Sequence, residues 1–207
     1  MKTIVFQGDS ITDAERSRSR DNYMGSGYAT MTAGKIAVDY PGQYRFFNRG
    51  VSGDRSVDMY ARIKKDVLNL KPDILTVLIG VNDVWHEFGS QNGVSAPKFE
   101  MILEQFVKEI LEELPDVKIF FLEPFVLRGD ATENNFDAFH AEVLLRAAAC
   151  RCVAEKFGLC FIPLQEKLEA LAEKATSAGV LHDGVHPCCA GHELISRELY
   201  GALQSVL

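Results

Sequence analysis

The sequence predicts an α/β protein: a five-stranded parallel sheet with helices on both faces. Two observations carry this. Five short apolar runs recur along the 207 residues, each lacking the polar alternation of a sheet with one wet face. Between them lie longer segments whose apolar residues recur at steps of three and four, the spacing of a helix with one buried face. Strands separated by helices join through right-handed crossovers, so the strands run parallel and the helices cover both faces.

The strand segments are Thr3–Gln7, Tyr44–Asn48, Ile74–Ile79, Val117–Leu122 and Leu159–Ile162. The clearest helix runs from Pro97 to Leu114. Phe99, Ile102, Leu103, Phe106, Val107, Ile110 and Leu111 share one face, and Pro115 ends the run. A second helix spans Asn135–Phe157, with Phe136, Phe139, His140, Val143, Leu144 and Ala147 on one stripe. His140 reads there as a packing residue, and Cys150 and Cys152 read as core filling. Further helices are expected over Ala29–Ala37, Ser56–Leu70, Leu164–Ala175 and Ala190–Val206. Five strands suggest a flavodoxin-like order, 2-1-3-4-5. No repeat or linker interrupts the pattern, so residues 1–207 are read as one domain.

Composition narrows the partners. The chain is 47% apolar and 25% charged with a net charge of −7, which argues against nucleic acid or an anionic membrane as partner. No apolar stretch approaches the ~20 residues that cross a bilayer. The pattern of a secretory leader is not seen at Met1-Lys2-Thr3-Ile4, and the odd set of five cysteines reads as reduced thiols. A cytoplasmic enzyme is the expectation. The arginines at 16, 18 and 20, interleaved with serines, read as a solvated loop.

In parallel sheets, ligands bind beyond the C-terminal ends of the strands. Gly8-Asp9-Ser10 follows the first strand, Asn48-Arg49-Gly50-Val51-Ser52-Gly53-Asp54 the second, and Gly80-Val81-Asn82-Asp83 the third. Asp183-Gly184-Val185-His186 lies in the loop before the last helix. Ser, His and a carboxylate are the pieces of acyl transfer. A serine hydroxyl is a weak nucleophile until a base takes its proton, and a third group must orient that base. Ser10 would attack, His186 would move the proton and Asp183 would hold the imidazole. The N–H groups of Ser10 and Gly53 and the Asn82 amide would receive the oxyanion.

Plainer readings stand beside these. Gly53 suits an ordinary turn, Asp54 or Ser56 a helix N-cap, and Asn82 or Asp83 an Asx-type loop contact. Asp9 reads as a loop brace. His182, His186, Cys188, Cys189 and His192 fit zinc spacings badly, so no metal and no organic cofactor is expected.

The four blocks G-D-S-I-T at 8–12, N-R-G-V-S-G-D at 48–54, G-V-N-D at 80–83 and D-G-V-H-P at 183–187 resemble the SGNH (GDSL-type) hydrolase family. The resemblance covers essentially the whole chain and implies the SGNH hydrolase fold, a flavodoxin-like three-layer αβα sandwich. It also implies Ser10 as nucleophile, Asp183 and His186 as its triad partners, and Gly53 and Asn82 in the oxyanion hole. The fourth residue of the first block is Ile11 where the family name has Leu.

Ser10-Ile11-Thr12-Asp13, Gly25-Ser26-Gly27-Tyr28 and Asn82-Asp83-Val84-Trp85 are similar to intracellular acetyl-xylooligosaccharide esterases and other sugar deacetylases. That likeness implies a small acyl ester as substrate, an acyl pocket bordered by Trp85, and Asp13 in substrate binding. His86, read in a loop after Trp85, would line the entrance.

Competing functions are a lysophospholipase or thioesterase for longer chains, a flavin- or nucleotide-binding module, and a degenerate carbohydrate-binding subunit. No Gly-rich phosphate motif joins a strand to a helix, which counts against the second. Two loops are expected to set specificity. Phe88–Ala96 is read as a mobile lid, and Asp13–Gly27 as a segment that could serve a neighbouring subunit in a homo-oligomer.

Overall fold

The structure is a computed structural model that describes residues 1–207. Its strands are β1 (Lys2–Gly8), β2 (Tyr44–Asn48), β3 (Ile74–Leu78), β4 (Lys118–Leu122) and β5 (Cys160–Ile162), all parallel in the order β2-β1-β3-β4-β5. This is the expected 2-1-3-4-5 order, with helices on both faces. The register pairs Gly8 with Leu78 and Phe6 with Asn48, so the ends of β1, β2 and β3 meet along one margin.

Side-chain alternation divides the core in two. Ile4 and Phe6 of β1, with Ile74, Leu78, Phe120 and Leu122, face one layer, while Val5, Leu75, Val77, Ile119 and Phe121 face the other. The first layer is built from α2 (Tyr28–Asp39), α8 (Gln165–Lys174) and α10 (Cys189–Leu203). The second takes Phe99, Leu103, Phe106 and Ile110 from α6 (Ala96–Glu113), and Ala149, Cys150 and Val153 from α7 (Phe136–Phe157). Burial of these side chains, each contributing about 1.5–3 kcal/mol, fixes both helix layers on the sheet.

Three local expectations need correction. Ser56–Leu70 is not one helix but α3 (Ser56–Ala61), α4 (Ile63–Asp66) and a 3₁₀ turn at Leu68–Leu70. The break falls at Arg62 (φ −107°, ψ 9°), whose guanidinium pairs with Asp54 and with Asp66. Cys150 is buried, but Cys152, two positions along the same helix, is exposed and fills no core.

The third concerns the lid. Phe88 and Gly89 belong to α5 (Val81–Ser90), and the following loop is pinned. Val94 donates its N–H to the Asp83 carbonyl at 2.9 Å and accepts from Arg146 Nη2 at 2.6 Å. Two short helices, α1 (Ser10–Asp13) and α9 (Ser177–Val180), complete the set. No helix is long and apolar enough to cross a membrane.

Candidate active site

Ser10 opens α1 immediately beyond β1. Asp9 precedes it in an irregular conformation, and its Oδ1 accepts the Ile11 N–H at 2.9 Å, capping the helix and holding the Ser10 backbone. The opposite partner arrives from the loop before α10. Leu181 and Pro187 form an isolated bridge, and His182 N–H donates to the His186 carbonyl at 2.9 Å, so residues 182–186 close into a tight turn. Within that turn Asp183 Oδ1 accepts the N–H groups of Val185 and His186 at 2.9 and 2.8 Å.

The two segments, 176 positions apart, then meet. Ser10 Oγ lies 2.8 Å from His186 Nε2, and His186 Nδ1 lies 2.7 Å from Asp183 Oδ2. Burial opposes ionisation of Asp183, but hydrogen bonds from the His186 backbone and ring and from Val185 outweigh it and hold the carboxyl below its ordinary range. An ionised carboxylate can only accept. The proton of the neutral imidazole therefore sits on Nδ1, leaving the Nε2 lone pair to accept from the Ser10 hydroxyl. This arrangement can move a proton off a serine.

Gly53 lies in the turn after β2 with φ +83°. A Cβ there would meet no atom, so backbone conformation, and not space, calls for glycine. Its N–H makes no hydrogen bond to the rest of the chain. Asn82 stands in the first turn of α5, buried, and its Nδ2 donates to the Asp54 carbonyl at 3.1 Å. That bond ties the end of β3 to the Gly53 turn. Ser56 caps no helix through its side chain; it donates N–H and hydroxyl to the buried Asp83 carboxylate instead. Burial pushes Asp83 up to about 7 against those bonds. Burial likewise lifts Asp9 to about 7, aided by the charges of Asp83 and Asp54.

Asp13, Ser26, Ser52, His182 and His192 join Ser10 and His186 around an open cavity of about 560 Å³. Asp13 is buried, and its carboxylate already accepts from Arg18 Nη2 at 2.5 Å and from Ser52 N–H at 3.1 Å. Both bonds fall on Oδ2, so this oxygen braces the rim while Asp13 keeps its place in the cavity lining. The arginine patch is correspondingly more than a solvated loop. Arg16 Nε and Arg18 Nη1 both donate to the Gly50 carbonyl, and Arg49 pairs with Asp21.

Trp85 packs against the His186 ring at 5.8 Å between centroids, with Phe139 edge-on behind it. His86 does not line this cavity. It lies on α5 and not in a loop, turned by one residue from Trp85.

Two contributors escaped the sequence reading. His192, in the first turn of α10, accepts the Tyr28 N–H at 3.2 Å and stacks on the Tyr28 ring. Burial and the neighbouring His186 lower it to about 4, so it stays neutral. The Asp183–His186 spacing singled out its own turn, but nothing local marks His192. Gly129 lies in the chain after β4, where a Cβ would sit 2.4 Å from the Asp183 carbonyl carbon. The close approach lets Leu127 and Ala131 N–H reach the carbonyls of Gly184 and Asp183 at 2.8 and 3.0 Å.

Comparison with known proteins identifies the family. The GDSL-like lipase/acylhydrolase family model matches residues 6–194. An acetylxylan esterase from Geobacillus stearothermophilus is 31% identical over 204 residues, 94% of this chain and 90% of that protein. The crystal structure of a catalytic mutant of such an acetylxylan esterase superposes with a TM-score of 0.85 at 27% identity, covering 98% of this chain and 93% of that one. An α/β hydrolase from the Lake Arreo metagenome superposes with a TM-score of 0.88 at 28% identity, covering 100% and 96%. With a match that runs nearly end to end in sequence and in fold, the chain belongs to the GDSL-like lipase/acylhydrolase family and is a carboxylic ester hydrolase.

Proposed function

We propose that the protein is a serine esterase that removes small O-acyl groups, chiefly acetyl, from carbohydrate, using Ser10, His186 and Asp183 as a triad. The observation that carries this reading is the unbroken hydrogen-bond line from Ser10 Oγ through His186 to Asp183, at 2.8 and 2.7 Å. Ser10 Oγ attacks the ester carbonyl carbon as His186 Nε2 takes the hydroxyl proton. Negative charge gathers on the former carbonyl oxygen, where the Ser10 and Gly53 N–H groups and the Asn82 amide stabilise it. The intermediate collapses to an acyl-Ser10, and His186 gives its proton to the departing alcohol. Water then repeats the sequence to release the acid and restore the serine.

Substrate size follows from the walls. The cavity lining is predominantly hydroxyl, imidazole and carboxylate, with Ile11 and Pro187 among its few apolar members, which suits a sugar better than an acyl chain. The named activity of the Geobacillus relative points the same way. Assay of acetylated xylo-oligosaccharides beside p-nitrophenyl esters of increasing length tests the reading. Acetyl esters should turn over fastest, with kcat/KM falling about tenfold or more by octanoyl, as steric exclusion of a chain outweighs the 1–3 kcal/mol that a methylene contributes in a fitting pocket. Turnover that climbs with chain length would replace the deacetylase with a long-chain acylhydrolase.

A further inference from the structure

The ring of His182 lies over the ring of His186, with centroids 5.6 Å apart and planes inclined by only 20°. Trp85 meets the same imidazole at 5.8 Å, inclined by 49°. The His186 ring thus packs against two aromatic groups, one from α5 and one from its own turn. His182 is mostly exposed, with 60% of its side chain accessible, so a buried core does not account for its position. Its Nδ1 also stands 3.8 Å from Asp183 Oδ1, beside the carboxylate that orients the His186 ring.

We propose that His182 is a positioning residue for the esterase: neutral, it clamps the His186 ring in the orientation that serves Ser10, and protonated, it switches that ring off. The inference rests on His186 acting as the base. In the neutral state the stacked face restricts ring rotation and favours the imidazolium that forms as Ser10 attacks. In the protonated state His182 presents a like charge to that imidazolium at stacking distance, and the two repel. It also becomes an ionic partner for Asp183 Oδ1, competing for the carboxylate. Both effects oppose catalysis.

Other charged groups do not supply this behaviour. His192, on α10 across the cavity, stays neutral, and Asp13 is paired with Arg18. Glu15 lines the cavity, is exposed, and hydrogen-bonds to neither ring. His182 is therefore the ionisable side chain stacked directly on the base.

The experiment measures kcat/KM against pH on p-nitrophenyl acetate for wild type, His182→Phe, His182→Ala and His186→Ala. Wild type should lose activity on the acid side more steeply than one proton allows. His182→Phe keeps the stack without the charge, so its acid limb should fall with a single-proton slope, whatever the height of its plateau. His182→Ala should show the single-proton slope together with a plateau kcat reduced roughly three- to tenfold, the worth of one aromatic pair. Acid limbs of equal slope for wild type and His182→Phe, or an undiminished plateau for His182→Ala, would overturn the proposal. Full activity in His186→Ala would instead remove the base itself, and both readings with it.

Discussion

Asp183→Asn should lower kcat about 10⁴-fold while leaving the fold intact. The size of the effect comes from a tautomer. Asp183 Oδ1 accepts two backbone N–H groups, from Val185 and His186, and Oδ2 faces His186 Nδ1. An asparagine satisfies those backbone donors only by placing its carbonyl oxygen at the Oδ1 position. Its NH2 then points at the ring. A donor facing Nδ1 moves the imidazole proton to Nε2, where it faces the Ser10 oxygen, and the base can no longer accept. Thermal melts that superimpose on wild type, beside the lost turnover, would distinguish this from misfolding. Because Asp183 is held below the ordinary carboxylate range, it remains ionised through the working pH range, and its protonation does not shape the acid limb.

Asn82→Ala should cost 10²–10³ in kcat with little change in KM, the loss expected when one oxyanion donor is removed. The Asn82 amide also fastens α5 to the Asp54 carbonyl at 3.1 Å, so two effects must be separated. A displaced Gly53 turn would alter ground-state binding and raise KM; a missing donor would act on kcat alone. Steady-state kinetics on a short acetyl ester reads both parameters. A KM-dominated defect would assign Asn82 to scaffolding.

The architecture was legible because buried parallel strands and amphipathic helices leave opposite periodicities in the chain. Ile4-Val5-Phe6 is apolar on both faces, and Phe99, Phe106 and Ile110 recur on one. Helix α5 was missed because Asn82, Asp83 and Gly89 read as loop residues. Burial of Val81 and Val84 overrides that local preference. The break at Arg62 was equally invisible, since it depends on Asp54 and Asp66 being drawn to one guanidinium.

The site followed the same division. That Ser10, Asp183 and His186 meet was legible because a serine, a carboxylate and an imidazole stood at a strand end and at a turn spacing. His192 and Gly129 depend on segments meeting in space, and no local pattern records a meeting. His86 shows the converse failure: adjacency to Trp85 in sequence became a different direction once both lay on a helix.

Covalent capture of the acyl-accepting oxygen is the most direct test. The protein should be treated with a fluorophosphonate that phosphonylates activated serines, then digested and mapped by mass spectrometry. A single adduct on Ser10, formed in step with loss of esterase activity and absent from Ser10→Ala, is the expected result. Inactivation with the label on any other residue, or undiminished ester hydrolysis by Ser10→Ala, would contradict the account.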